Sequence, residues 1–223
     1  MPHEKHRDIK GPNDENADIW RFIDPPKLLD MLTTRSLYFT RGDKFDDPYE
    51  CMPPDEYMEA VKQGNPNLGG VNRQTRLFHY YRAEYYISCW HMSPHESAGM
   101  WKLYAGVDAG IAIKSTYSRL KCALRDSPER FFIGVTSYND DTVFGPINPF
   151  KFVMCKRPSF EHEREIRAFV WRDTESGPYP PEVATEEVIA WPLPSRPGPR
   201  GIHLPVDLHQ LIVRIVLSPS LPP

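Results

Sequence analysis

The chain has 223 residues, a formal net charge of −3, and 40% hydrophobic and 12% aromatic residues, which is enough for one good-sized core. No apolar run nears the roughly 20 residues of a membrane-spanning helix, and the slightly acidic balance argues against the basic face that duplex nucleic acid requires. The four scattered cysteines (Cys51, Cys89, Cys122, Cys155) form no CxxC pair and the charged opening Met1 to Asp8 lacks an apolar signal core, so neither a disulfide framework nor export is expected and the natural compartment is the cytoplasm.

Residues 1–17 are polar without periodicity and read as a mobile lead-in to a single domain over 18–219, with 220–223 as a tail. Ile19 to Ile23 predicts a first strand, and Asp24-Pro25-Pro26 a helix start, with Asp24 as N-cap and Pro25 at the first helical position. Leu28, Leu29, Met31 and Leu32 form the expected buried face of that helix. Ser36 to Thr40 reads as a strand, followed by the acidic turn Asp46-Asp47-Pro48-Tyr49-Glu50. A short helix over Asp55 to Lys62 and a Gly/Asn-rich loop over Asn65 to Asn72 come next.

Glu84 to His91 predicts a strand, and Ser93-Pro94-His95-Glu96 a capping box for a helix running to Tyr104. Gly110 to Ile113 reads as a buried strand, Ser115 to Leu124 as a helix, and Phe131 to Tyr138, Ile166 to Trp171, Val188 to Trp191 and Leu211 to Leu217 as further strands. The 24 prolines concentrate near 178–181, 192–199 and 219–223 and mark surface connectors. Strands outnumber helices, and the helices cluster in the first two thirds. This is an α+β arrangement with a split, mostly antiparallel sheet.

The stretch with the densest chemistry runs from Lys156 to Trp171, where Lys156-Arg157-Pro158-Ser159-Phe160-Glu161-His162-Glu163-Arg164-Glu165-Ile166-Arg167 carries a file of alternating acids and bases into an apolar strand. In an extended chain Glu161, Glu163 and Glu165 share one side, and burying such carboxylates is costly without a purpose. Exposed, they would merely solvate a strand edge; facing a groove, they stabilise positive charge. Trp101 and Tyr104, three apart on a helix, suit either a core or stacking on a planar ring. Asp47 and Glu50 suit helix or turn capping, or a binding loop. Cys89, His91 and His95 fall short of a zinc ligand set, so no metal is expected. Cys155 stands beside Lys156 and Arg157, but free cysteines are usually inert core residues.

The order Leu37-Tyr38-Phe39-Thr40, Phe45-Asp46-Asp47-Pro48-Tyr49-Glu50, Ile87-Ser88-Cys89-Trp90, Met100-Trp101-Lys102-Leu103-Tyr104-Ala105, Gly110-Ile111-Ala112-Ile113, then Phe160, Glu163, Glu165 and Arg167, then Val206 to Ile212, Ile215 and Ser218-Pro219 carries a resemblance. It resembles a widespread bacterial domain family of unassigned function, found among phage-defence and mobile-element genes. Family members usually show Asn-Asp-Pro where this chain has Asp46-Asp47-Pro48, and commonly run on past the Ser-Pro pair, so a closing helix and strand are expected to be missing here.

The pattern is more distantly similar to ADP-ribosyltransferases. That likeness implies NAD as substrate, with Arg21 on the pyrophosphate, Ser88 on the serine-bearing strand, Tyr104 as an aromatic wall, Trp101 and Arg167 as further cofactor-binding residues, and Glu163 and Glu165 as the catalytic acids. It implies a cleft between two sheets and an acceptor that is protein, nucleic acid or small molecule. Two rivals stand beside it. One is a nuclease using Asp46, Asp47, Glu50 and the glutamates around a divalent cation; the other is a non-catalytic module sensing a nucleotide or a partner protein.

Overall fold

In the computed structural model, which describes residues 3–53, 57, 59, 62–64, 71–104, 110–138, 149–172 and 198–219, the first strand β1 (Asp18–Ile23) runs directly into helix α1 (Pro25–Thr34). Asp24 holds extended backbone and its carboxylate accepts from the Lys27 amide at 2.9 Å, so Pro25 enters the helix where no amide is needed. Replacing Asp24 by alanine should cost about 1 kcal/mol, read as a melting temperature lower by about 2–4 °C; an unchanged melting temperature would show that the cap is idle. Of the helix's four expected core leucine and methionine positions, Met31 is buried and Leu28 packs partly against the core. Leu29 and Leu32 instead face outward, 66% and 43% exposed, because the helix meets the sheet along a narrow stripe.

Strand β2 (Ser36–Arg41) follows and closes in a single 3₁₀ turn, Gly42–Lys44. Helix α2 (Val71–Arg82) then precedes β3 (Tyr85–Met92). The expected loop over Asn65 to Asn72 therefore ends earlier than its composition indicated, since Val71 and Asn72 already belong to α2; its earlier positions and most of the predicted helix over 55–62 lie outside the described residues. Helix α3 (Ala98–Tyr104) starts later than the Ser93 box predicts. Ser97 caps it, accepting from the Met100 amide at 3.4 Å, while Ser93 closes only a local turn with His95 and Glu96 accepts from the Trp101 indole.

Strand β4 (Ile111–Thr116) takes in Ser115, so α4 (Tyr117–Ala123) is capped by Thr116. Strand β5 (Phe132–Val135), the one-turn helix α5 (Pro149–Val153) and strand β6 (Glu165–Trp171) follow. Strand β7 (Gly201–Pro205), embedded in a proline-rich stretch, was not apparent from the sequence. The strand expected over Leu211 to Leu217 is two elements: helix α6 (Leu208–Leu211), capped by Asp207, and strand β8 (Arg214–Leu217). The expected strand over Val188 to Trp191 lies outside the described residues. Two short helices, α5 and α6, thus fall in the last third of the chain. Ahead of β1, the Glu4 amide donates to Phe131 O, and Lys10 O accepts from Val135, along β5.

The eight strands of the described residues form one connected sheet, ordered β5-β6-β3-β1-β4-β8 with β2 and β7 branching from β3, and every pairing between them is antiparallel. The fold is therefore α+β on a single sheet, and the expected split takes the form of a fork rather than two separate sheets. β6 pairs with all of β3 from Tyr85 to His91 on one edge. On the other edge, β2 pairs with Tyr86 and Ile87, and β1 pairs with His91 and Met92. Between them Ser88, Cys89 and Trp90 have no strand neighbour on that edge, because β1 swings toward β4 and β2 toward β7.

Alternation along the strands separates the core into faces. Ile19, Tyr86, Trp90, Ile166 and Ala168 pack with Leu120 of α4 and Leu211 of α6. Tyr85, Ile87 and Phe169 pack with Phe78 of α2 and Phe152 of α5, and Trp20 and Phe22 pack with Met100 and Trp101 of α3. No helix among the described residues is long and apolar enough to cross a membrane.

Candidate functional site

The fork is a gap in the sheet, so one cavity there is reached by side chains of both faces. About 240 Å³ in volume, it is lined by Arg21 and Trp90 from one face, and by Phe22, Cys89 and His91 from the other, with Tyr104, Lys156, Glu163 and Glu165 closing one end. Arg21 is the first residue past the last β1 and β3 pair, Trp20 with His91, which is why its side chain enters the opening. Its guanidinium donates to Ser88 Oγ on β3 and, at 3.1 Å, to Tyr38 O on β2, and it sits 5.7 Å from the Trp90 ring centroid. One arginine thus stitches the three strands of the fork.

All of those partners are neutral. Among the described residues Arg21 has no carboxylate partner, and burial pulls its guanidinium down to about 10. A cation held this way is matched only when an anion arrives.

The glutamate file takes a different local form from the extended one its alternation predicts. Pro158–Glu163 is a 3₁₀ helix, and the chain leaves it through Arg164 at φ 42°, ψ 56° before β6 begins. A left-handed arginine costs about 1–2 kcal/mol, and it is held by backbone bonds on both sides: its amide donates to Glu161 O at 3.1 Å and its carbonyl accepts from Met92 at 2.8 Å. The kink separates the three acids. Glu161 stays in solvent, while Glu163 and Glu165 are 5% and 3% exposed and both reach the cavity.

Glu163 and Glu165 differ in what they have left to offer. Glu163 accepts from Tyr104 Oη at 2.6 Å with one oxygen and from Lys156 Nζ with the other. Its backbone carbonyl accepts from His91 at 2.6 Å, which puts the His91 proton on Nδ1 and leaves Nε2 as an acceptor when the ring is neutral; burial lowers the His91 pKa, favouring that neutral form. Glu165 accepts from Arg167 at 2.9 Å through Oε2, whereas Oε1 is buried and accepts from no nitrogen or oxygen donor among the described residues. The Cys89 thiol lies against the same carboxylate, and burial followed by that negative charge drives the thiol's pKa well upward. Cys89 is therefore a protonated wall of the cavity and no nucleophile.

Behind the cavity lies a buried charge cluster. Arg167, fully buried, bridges Glu50 at 2.5 Å and Glu165 at 2.9 Å and donates to Val153 O at 2.7 Å. Lys156 adds contacts of 3.6 Å to Glu50 and 3.7 Å to Glu165. Burial alone would raise the Glu165 pKa, but Arg167 and then Lys156 outweigh it, and the carboxyl ends below its ordinary range.

The sequence-derived candidates thus divide. Arg21, Tyr104, Glu163 and Glu165 line one cavity, and Ser88 touches it through Arg21. Arg167 and Glu50 sit behind it in the ion cluster. Trp101 is a core residue edge-on to Phe22, with ring centroids 4.9 Å apart. Asp47 accepts from the Tyr49 amide and from Arg157, both at 2.9 Å, which is the capping and pairing role of a turn acid. Lys156 opens the charged stretch that holds the glutamates, and His91 reads from sequence as a surface or groove-lining histidine; it is the tertiary fold that sets both against Glu163. Among the described residues no group of three or more His, Cys, Asp or Glu side chains is placed to hold a metal ion.

A second cavity of about 380 Å³ shares Arg21, Ile23, Lys27 and Thr40 with the first and extends toward α1, Tyr38 and His203. No family model, curated protein or solved structure matches the chain.

Proposed function

We propose that the forked cleft binds NAD and that the protein transfers its ADP-ribosyl group to an acceptor. The observation that carries this reading is the separation of charge along one cavity, with Arg21, which has no carboxylate partner among the described residues, at one position, and the Glu165 carboxylate, whose Oε1 accepts from no nitrogen or oxygen donor among them, at another. NAD has the complementary pattern: an anionic pyrophosphate, and a nicotinamide ribose that gains positive charge as it reacts. Arg21 donates to the pyrophosphate. An aromatic wall of Phe22, Trp90 and Tyr104 packs on the planar ring.

The chemistry is a substitution at the anomeric carbon. The bond from C1′ to the pyridinium nitrogen breaks, nicotinamide leaves with the electron pair, and positive charge grows over C1′ and the ring oxygen. A nucleophile of the acceptor bonds to C1′ and gives up its proton; water in that role yields ADP-ribose. Glu165 accepts from a ribose hydroxyl through Oε1 and, with Glu163, opposes the developing positive charge in a water-poor site. His91 Nε2, when neutral, is an available proton acceptor at the same cavity.

The nuclease reading has less support, because Glu50, Glu163 and Glu165 already direct their oxygens at Lys156 and Arg167, where a divalent cation would have to compete.

The test is incubation with NAD while free nicotinamide is measured, alongside binding by calorimetry. Arg21→Gln should weaken NAD about 10- to 100-fold, the range for losing a hydrogen bond to a charged group. Nicotinamide riboside, which lacks the pyrophosphate, should bind both proteins alike. Absence of both nicotinamide release and NAD binding would overturn the proposal. Metal-dependent cleavage of nucleic acid would replace it with a nuclease, and NAD binding without release would mark a sensor.

A further inference from the structure

The second cavity has a character of its own. Its floor is apolar, from Ile23, Met31 and Leu37, and one wall is made by the rings of Tyr38 and His203, whose centroids are 5.1 Å apart. Asp30 of α1 supplies its acid. That carboxylate has no hydrogen-bond donor among the described residues: the nearest cationic candidate, His203 Nδ1, is 3.8 Å away and is already 2.7 Å from Ser36 Oγ, and Lys27, one turn back, is paired with Asp24 at 2.8 Å.

We propose that this second cavity takes the adenosine half of NAD and that Asp30 selects a ribose with a free 2′-hydroxyl, so that the protein accepts NAD and rejects NADP. The inference rests on the NAD reading above. Arg21 belongs to both cavities, so a pyrophosphate held there sends its two nucleosides into different chambers. The nicotinamide ribose goes to the chamber with Glu163 and Glu165, which leaves adenosine for the apolar floor and ring wall beside Asp30. A carboxylate accepts from ribose hydroxyls, whereas a 2′-phosphate has no hydrogen to donate and places like charge on like charge.

The test uses two unreactive ligands, ADP-ribose and 2′-phospho-ADP-ribose, titrated by calorimetry. The native protein should prefer ADP-ribose by about 10-fold or more, in keeping with the cost of like-charge juxtaposition. Asp30→Asn should bring the two affinities within about 3-fold of each other, and Asp30→Arg should reverse the preference. Asp30 is half exposed, so both variants are expected to fold, with circular dichroism as the check. Equal affinities in the native protein, or a preference that survives both substitutions, overturns the selection by Asp30 while NAD turnover still stands. Failure of the native protein to bind either ligand or NAD overturns both readings together.

Discussion

Replacing Arg167 by alanine should destabilise the fold by about 3–5 kcal/mol, the cost of removing one partner from a buried ion pair. In a domain of this size that lowers the melting temperature by roughly 6–20 °C. The effect is large because one guanidinium serves three acceptors at once: Glu50, Glu165 and the Val153 carbonyl. Without it two carboxylates buried to within a few per cent share Lys156 as their one cationic partner among the described residues, at 3.6 and 3.7 Å. Arg167→Lys should recover only part of the loss, since a point charge cannot reproduce the planar fork. The same cluster sets an acid limit. The Glu165 carboxyl lies below its ordinary value in the folded state, so the unfolded chain binds its proton first as pH falls. Its contribution is complete above about pH 4.3, the ordinary glutamate range, and disappears as pH drops through the lower folded value. Acid unfolding followed by fluorescence should therefore begin at higher pH in Arg167→Ala than in the native chain. A melting temperature within about 2 °C of the parent's, less than 1 kcal/mol, together with an unmoved acid transition, would show that the cluster does not hold the fold together.

Local chemistry made much of this architecture legible in advance. Asp24-Pro25 announced α1, β-branched and aromatic runs announced β1, β2, β3 and β6, and all five elements are present. Local chemistry was less informative where tertiary packing decides. α2 reads as polar and aromatic with a weak apolar stripe, yet Phe78 and Tyr81 anchor it against Phe152 and Tyr85. β7 is short and follows a run of prolines, and it becomes a strand by pairing with β2, from Ser36 to Thr40. The acids at 163 and 165 were visible as candidates, but their separation from Glu161 depends on a left-handed arginine that no residue pattern announces. Lys156 stands in the same stretch as Glu163 and Glu165, but its contact with Glu50, more than a hundred positions away, is set by the fold.

Glu165→Gln should lower the rate of nicotinamide release by about 100- to 1000-fold, the range for removing one preorganised charge-stabilising group. Glutamine keeps the shape and can still pair with Arg167 through its carbonyl, leaving Glu50 as the second anchor of that guanidinium. What it removes is negative charge beside the developing cation. NAD affinity should change little, because the interaction strengthens only as C1′ becomes positive, so the loss belongs to kcat and not to KM. Glu163→Gln should have the smaller effect on rate, since both Glu163 oxygens already accept, from Tyr104 and from Lys156, while Glu165 Oε1 accepts from no nitrogen or oxygen donor among the described residues. Glu163→Gln also leaves Lys156 with Glu50 and Glu165 nearby, so its folding should be preserved. Measured on folded protein at matched NAD saturation, a Glu165→Gln rate within about 3-fold of the parent's, a difference of under 1 kcal/mol in barrier, would remove Glu165 from the chemistry and with it the physical basis for ADP-ribosyl transfer at this fork.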